Sequence, residues 1–239
     1  MPSGQWVSLF SGGKDSSWAL YRALEEGLPV GRLLTVHPTP DSYLYHVPAT
    51  DLASLAAESI NIPLMEVEET EGTGHDASSR GDAELQVLER ALADLDTDLA
   101  GGLAGVIAGA VESEYQTGRI RSMCERLGVD LYAPLWRRDP VALGESMIAA
   151  GFDIRIIQVA AAGLERSWLG RRLDRQALDD LQELSERYGV HVLGEGGEFE
   201  TLVVDGPHMD RAIRFDADPV WEGNRGHLDI TGARLESEQ

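Results

Sequence analysis

Phe10-Ser11-Gly12-Gly13-Lys14-Asp15-Ser16-Ser17 is the stretch on which the reading of this chain turns. The residues leading into it, Trp6-Val7-Ser8-Leu9-Phe10, form an apolar run of buried-strand character. The residues following it, Ser16 to Glu26, carry Ala19, Leu20, Ala23 and Leu24 at helical spacing. The glycines therefore sit at a strand-to-helix turn, where they allow a sharp bend and let a ligand approach main-chain amides. The first turn of a helix has unpaired N–H donors and a partial positive charge, and it favours an anion by up to ~2 kcal/mol. Ser11, Ser16 and Ser17 add hydroxyl donors and Lys14 adds a full charge.

The spacing is not that of the ordinary P-loop, which needs four residues between its first glycine and Gly-Lys-Ser/Thr. It resembles the Ser-Gly-Gly-x-Asp-Ser loop of the PP-loop ATP pyrophosphatases, which split ATP into AMP and pyrophosphate. The alternative is a glycine turn that merely closes a βα unit. Composition favours the functional reading, because Lys14 is the only lysine among 20 basic residues.

With 239 residues and 43% hydrophobic content, the chain can bury a core as one large domain or two small ones. No apolar run approaches the ~18 residues of a membrane span, and no basic n-region followed by an apolar h-region marks a secretory signal. A single cysteine, Cys124, excludes an internal disulfide or a CxxC pair and reads as packing. The expected location is cytoplasmic, without membrane association. The net charge of −21 argues against direct nucleic-acid binding, which draws its affinity from phosphate neutralisation. Acidic residues spread along the whole chain, with almost no lysine, point to a surface adapted to high salt, a halophilic signature.

Strand-like and helix-like segments alternate five times up to Ala133. That pattern predicts a parallel sheet with helices on both faces. His37 follows the second strand, Val30 to Val36, and is either a nucleotide contact or an ordinary loop histidine. Residues 68–80 read as an acidic loop, and 82–95 as an amphipathic helix. Beyond Pro134 the pattern is mixed. It predicts helices over 141–150 and 175–188, with strands over 153–160, near 191–192, and over 201–204, 211–215 and 228–230.

The second unusual stretch is Gly194-Glu195-Gly196-Gly197-Glu198-Phe199-Glu200-Thr201. Its glycines allow close approach, while its glutamates suit a cation, an ammonium group or proton transfer better than an anion. On residue chemistry alone, an acidic turn in an acidic protein explains it equally well.

Extended to Pro207, this stretch resembles the signature of the diphthine–ammonia ligase family, the diphthamide synthetases, whose members join it to a Ser-Gly-Gly-Lys-Asp-Ser loop. Tyr45-His46-x-Pro48, Ile62-Pro63-Leu64, Gly109 to Gln116 with Arg119 and Cys124, and Leu127-Gly128 before Pro134-Leu135-Trp136 match in order between them. The likeness covers roughly 6–207; the 68–80 loop and the tail after Pro207 match nothing.

The resemblance implies an α/β fold with a five-stranded parallel HUP-type (Rossmann-like) sheet and a smaller α+β C-terminal domain. The division would be 1–135 for ATP and 136–239 for substrate. It also implies ATP-dependent amidation of diphthine on translation elongation factor 2 by ammonia, through an acyl-adenylate. Ser11, Gly12, Gly13, Lys14, Asp15, Ser16, Ser17 and His37 would bind ATP, with Asp15 a contact for Mg²⁺. Lys14, Asp15, Glu198 and Glu200 would be catalytic. His46, Tyr115, Gln116, Arg119, Trp136, Glu195, Gly196, Gly197, Glu198, Phe199, Glu200 and Thr201 would bind the substrate. Gln116 and Arg119 serve equally well as braces at the domain border, while Trp136 and Phe199 read more readily as core residues than as ligands. Two other readings share the first motif: a PP-loop enzyme acting on tRNA, and an ATP sensor without turnover.

Overall fold

The apolar run before the glycine loop forms β1 (Gln5–Leu9), the central strand of a five-stranded sheet. The computed structural model describes residues 4–37, 49–68, 77–109 and 114–237, and leaves the side chains of 49–51, 77–84 and 114–117 undescribed. β1 is followed by α1 (Lys14–Glu25), β2 (Val30–His37), α2 (Ala49–Ile60), β3 (Leu64–Glu68), α3 (Ala77–Asp98), β4 (Leu103–Ile107), α4 (Glu114–Leu127) and β5 (Asp130–Tyr132). The strands run in the order β3-β2-β1-β4-β5 and every pairing is parallel. Strands buried on both faces read as continuous apolar runs, and Val106-Ile107 of β4 is fully buried.

The second half holds α5 (Pro140–Ala149), β6 (Asp153–Val159), a 3₁₀ turn at Arg166–Trp168, α6 (Arg175–Tyr188), β7 (Phe199–Asp205), β8 (Ile213–Glu222) and β9 (Arg225–Leu235). Its four strands form an antiparallel sheet, β7-β6-β9-β8. Local chemistry fixes the helix ends. Asp139 and Asp174 accept the amides of Ala142 and Ala177, each at 2.8 Å, as N-caps. Gly189 closes α6 at φ 73°, in the left-handed region that favours glycine.

Both faces of the parallel sheet are covered, as expected from the alternation. Leu88, Leu92 and Leu95 of α3 and Met123 and Cys124 of α4 pack with Val7, Leu34 and Val106. On the other face α1 contacts β1 and β4 and also β7 of the second sheet. Leu20 of α1 and Leu33 of β2 share a core with Leu202, Val204 and Ile213, while Trp18 and Ala19 join Phe152 and Ile154. α1 is thus the seam between the two sheets. Cys124 is 2% exposed and burial pushes its thiol up to about 11, consistent with a packing role.

Three expectations are corrected. His191-Val192 belongs to a loop rather than a strand, because its amides are taken up locally (below). Helix α3 begins at Ala77, inside the stretch read as an acidic loop. The two short C-terminal strands are one long hairpin, β8–β9, closed by Gly223-Asn224 with Gly223 at φ 62°. Pro219 is tolerated because β8 is an edge strand.

His208 follows β7 and stacks on Phe152, with ring centroids 5.2 Å apart. Among the described residues neither ring nitrogen finds a hydrogen-bond partner, and burial pushes its pKa down to about 4. The unfolded chain binds the imidazole proton below about 6.5. The stability held by neutral His208 is therefore complete above that value and is lost as pH falls toward 4. The loss is on the order of 3 kcal/mol. Urea unfolding at pH 7 and pH 4.5 should show a larger fall for the wild type than for His208→Phe; equal falls would contradict this.

Candidate active site

The strand order places the glycine loop at a topological switch point, since the chain leaves β1 for β2 on one side and later occupies β4 on the other. The Thr35 hydroxyl donates to the Phe10 carbonyl and pins the strand end. Gly12 turns the chain at φ 75°. The Ser11 amide donates to Ser16 Oγ at 3.2 Å, and the Ser16 hydroxyl donates to the Gly13 carbonyl at 3.2 Å. The amides of Asp15 and Ser16, in the first turn of α1, have no protein acceptor among the described residues. Unpaired first-turn amides of this kind are donors suited to an anion.

Lys14 is 4% exposed; its ammonium lies 2.7 Å from Asp15 Oδ2 and 5.8 Å from the Phe199 ring centroid. Asp15 Oδ1 is buried and finds no hydrogen-bond partner among the described residues. An orphaned carboxylate oxygen beside an anion site fits a hard divalent cation, since Mg²⁺ is characteristically held by one or two carboxylates together with phosphate oxygens. The loop is wedged from behind by Gly109, just past β4. A Cβ there would lie 2.6 Å from the Asp15 carbonyl carbon and 2.7 Å from the Ser16 nitrogen. Nothing in the motif itself announced that contact.

The second motif reaches the same place from the other sheet. The Val203 amide donates to the Gly12 carbonyl at 2.9 Å, and the Lys14 amide donates to Thr201 Oγ1 at 3.1 Å. Gly13, the N-cap of α1, offers no capping side chain, so Thr201 caps the helix from 187 residues away. A cap of this kind is worth ~1 kcal/mol.

The glutamates of the motif divide by environment. Glu198 accepts the His191 amide (3.0 Å) on one oxygen and the Gly196 amide (2.8 Å) on the other. The His191 ring supports the same loop, its Nδ1 accepting the amides of Leu193 at 3.2 Å and Glu195 at 3.3 Å. Glu198 therefore organises its own loop, and His191 is a loop residue whose part sequence reasoning missed. Gly194 and Gly197 hold φ 72° and 80°, and Gly196 and Gly197 are exposed. Glu200 points elsewhere on β7. Glu200 remains exposed on β7, yet the protein around its carboxyl raises its pKa by desolvation; Lys14 opposes the shift and Asp15 reinforces it. Glu200 is thus tied electrostatically to the glycine loop.

Glu198→Gln retains one acceptor for two amides and sets an NH₂ against the other. Losing a charge-assisted hydrogen bond at this partly exposed loop costs on the order of 1 kcal/mol, so this variant should unfold at a lower temperature, whereas Glu200→Gln should unfold with the wild type. Calorimetric scans distinguish the two; equal midpoints would remove the loop role of Glu198.

The remaining predicted residues lie as follows. Phe199 is 2% exposed and lies beneath the Lys14 ammonium as a core residue, in keeping with its reading as core. Trp136 is half-buried under the Arg137 guanidinium, 5.4 Å from its ring. His37 ends β2 with Nε2 3.1 Å from Glu66 Oε1. Arg119 is half-buried on α4, Glu195 is half-buried, and Ser17 is buried with its amide on the Gly13 carbonyl. Tyr115 and Gln116 fall in the first turn of α4, with side chains outside the described set, and His46 lies outside the described residues.

Two family models match the chain: the diphthamide synthase N-terminal domain over residues 4–131 and the diphthamide synthase C-terminal domain over 139–235. A zebrafish protein named diphthine–ammonia ligase is 35% identical over 223 residues, covering 88% of this chain and 86% of its own. The human protein of that name is 33% identical over 232 residues, covering 90% and 84%. The fission yeast protein of that name is 32% identical over 230 residues; the match covers 93% of this chain but only 38% of that longer protein.

Proposed function

The chain belongs to the diphthamide synthase family, and on that premise we propose that it amidates diphthine on translation elongation factor 2, using ATP and ammonia. The observation that carries this reading is the meeting of the two motifs, Lys14 and Asp15 from one and Thr201 and Glu200 from the other. A tRNA-modifying relative or an ATP sensor would use the glycine loop but leaves the acidic motif without a task. The division proposed is 1–135 for ATP and 136–239 for the acceptor.

A carboxylate is a poor electrophile at neutral pH, so it must first acquire a leaving group. In the first step a diphthine carboxylate oxygen attacks the α-phosphorus of ATP. The bond from that phosphorus to the bridging oxygen breaks, and pyrophosphate departs. Lys14 and the first-turn amides of α1 stabilise the charge gathering on the departing group, with Ser11, Gly12, Gly13, Ser16 and Ser17 shaping the cradle. Bound at Asp15, Mg²⁺ would supply further charge neutralisation there. His37, at the end of β2, is in reach of the nucleoside by the general geometry of such sheets.

In the second step ammonia attacks the acyl carbon, the carbon–oxygen bond to AMP breaks, and the amide forms. The nitrogen must shed a proton, and Glu200 is the base assigned to take it. A carboxylate raised from its ordinary value by desolvation accepts a proton more readily. Trp136, with Glu195 and the exposed Gly196-Gly197 turn, is assigned to the trimethylammonium group of diphthine. His46, Tyr115, Gln116 and Arg119 are assigned to the acceptor backbone and carboxylate.

Pyrophosphate release tests the reading. It should require ATP, Mg²⁺, ammonium and diphthine-bearing factor together; release stimulated instead by tRNA would overturn it. The charge of −21 is read as adaptation to high salt. The unfolding temperature should therefore rise steadily between low and molar KCl, and a flat response would refute that.

A further inference from the structure

We infer that Thr201 is a positioning residue for the nucleotide, acting through the main chain of Lys14 rather than by touching the acceptor. The inference rests on the ATP site proposed above. Its basis is the edge of the second sheet. β7 is an edge strand of that sheet, pairing with β6 along one side. An unpaired strand edge presents free amides and carbonyls that proteins normally cover. Here the covering element is the glycine loop itself.

Three contacts make that junction. The Val203 amide donates to the Gly12 carbonyl at 2.9 Å. The Lys14 amide donates to Thr201 Oγ1 at 3.1 Å, in a buried setting. Gly13 lies so close that a Cβ there would be 3.3 Å from the Thr201 carbonyl oxygen. Of these, only the hydroxyl contact depends on a side chain. It fixes the amide of the residue whose buried ammonium is aligned on Asp15 Oδ2 at 2.7 Å. Without that acceptor the first residue of α1 loses its anchor, because its N-cap Gly13 supplies none. The ammonium and the free first-turn amides would then no longer be held in one arrangement before nucleotide arrives, and binding would bear the cost of ordering them.

The position therefore demands a hydroxyl, not bulk. Thr201→Val keeps shape and removes the acceptor, whereas Thr201→Ser keeps the acceptor and removes a methyl group. The experiment is calorimetric titration of the full chain with a non-hydrolysable ATP analogue and Mg²⁺, paired with steady-state kinetics. Thr201→Val should weaken analogue binding and raise the KM for ATP about tenfold, with kcat changed far less. Thr201→Ser should restore both values to within about twofold of wild type. Should Thr201→Val fail to fold, Thr201→Ala carries the same comparison. Wild-type binding by the valine variant, or equal impairment of the valine and serine variants, would overturn the inference while leaving the ATP site standing. Failure of the wild type to bind the analogue would overturn the ATP site and this inference with it.

Discussion

Lys14→Ala is expected to lower the rate of pyrophosphate release by two to three orders of magnitude, the scale seen when one preorganised charge-stabilising donor is removed from an active site (~10²–10³). The lysine is the only one in the chain and is 4% exposed, so no neighbouring lysine can substitute for its ammonium. Two effects add. The charge that stabilises the departing pyrophosphate is gone, and Asp15 keeps its negative charge beside the anion site without its 2.7 Å partner. Lys14→Arg should not rescue activity. The guanidinium is broader and planar, and the pocket is bounded by the Phe199 ring, 5.8 Å from the ammonium. Removing the ammonium also strips Asp15 of its cation, so binding of the ATP analogue should weaken as well as turnover. Activity within about threefold of wild type would remove Lys14 from the chemistry.

Gly109→Ala should disable the same loop from behind. A methyl group at this position would lie 2.6 Å from the Asp15 carbonyl carbon and 2.7 Å from both the Asp15 carbonyl oxygen and the Ser16 nitrogen. These are main-chain atoms at the start of α1, so relief requires moving the helix terminus proposed to hold the phosphates. Overpacking of this kind costs ~1–3 kcal/mol in stability. The larger consequence is functional, because the amides of Asp15 and Ser16 shift away from the phosphates; analogue binding should fall more than tenfold, about 1.4 kcal/mol or more. Gly118→Ala is the matched control. Among the described residues nothing lies within 4 Å of its Cβ position on α4, and alanine is the better helix former. If the two variants bind the analogue equally, the wedge plays no part in shaping the loop.

What the sequence disclosed follows from where its signals are local. The glycine loop, its strand and its helix are contiguous, and five alternations of period-2 and period-3.6 patterning declare a parallel sheet with covered faces. The hairpin was under-read because an edge ribbon mixes Asp216, Asp218 and Glu222 with Pro219 and shows only a diluted alternation; the Gly223-Asn224 turn was its available signal. At the site, residue types were legible but their division of labour was not. Glu198 and Glu200 are two residues apart with the same chemistry, and only folding shows that one carboxylate is committed to two amides of its own loop. The Thr201–Lys14 cap spans 187 residues and the Gly109 wedge joins the end of β4 to the start of α1, so neither has a sequence pattern to betray it.

The central claim is that this site converts a diphthine carboxylate to an amide at the expense of ATP. Its most direct test is the intact mass of diphthine-bearing elongation factor 2 after incubation with the protein, ATP, Mg²⁺ and ¹⁵N-labelled ammonium. The account predicts a mass change corresponding to exchange of one hydroxyl for one amino group, with the label retained at the modified histidine and the product absent without ATP. An unchanged factor mass, with pyrophosphate still released, would contradict the claim and assign the ATP chemistry to a different acceptor.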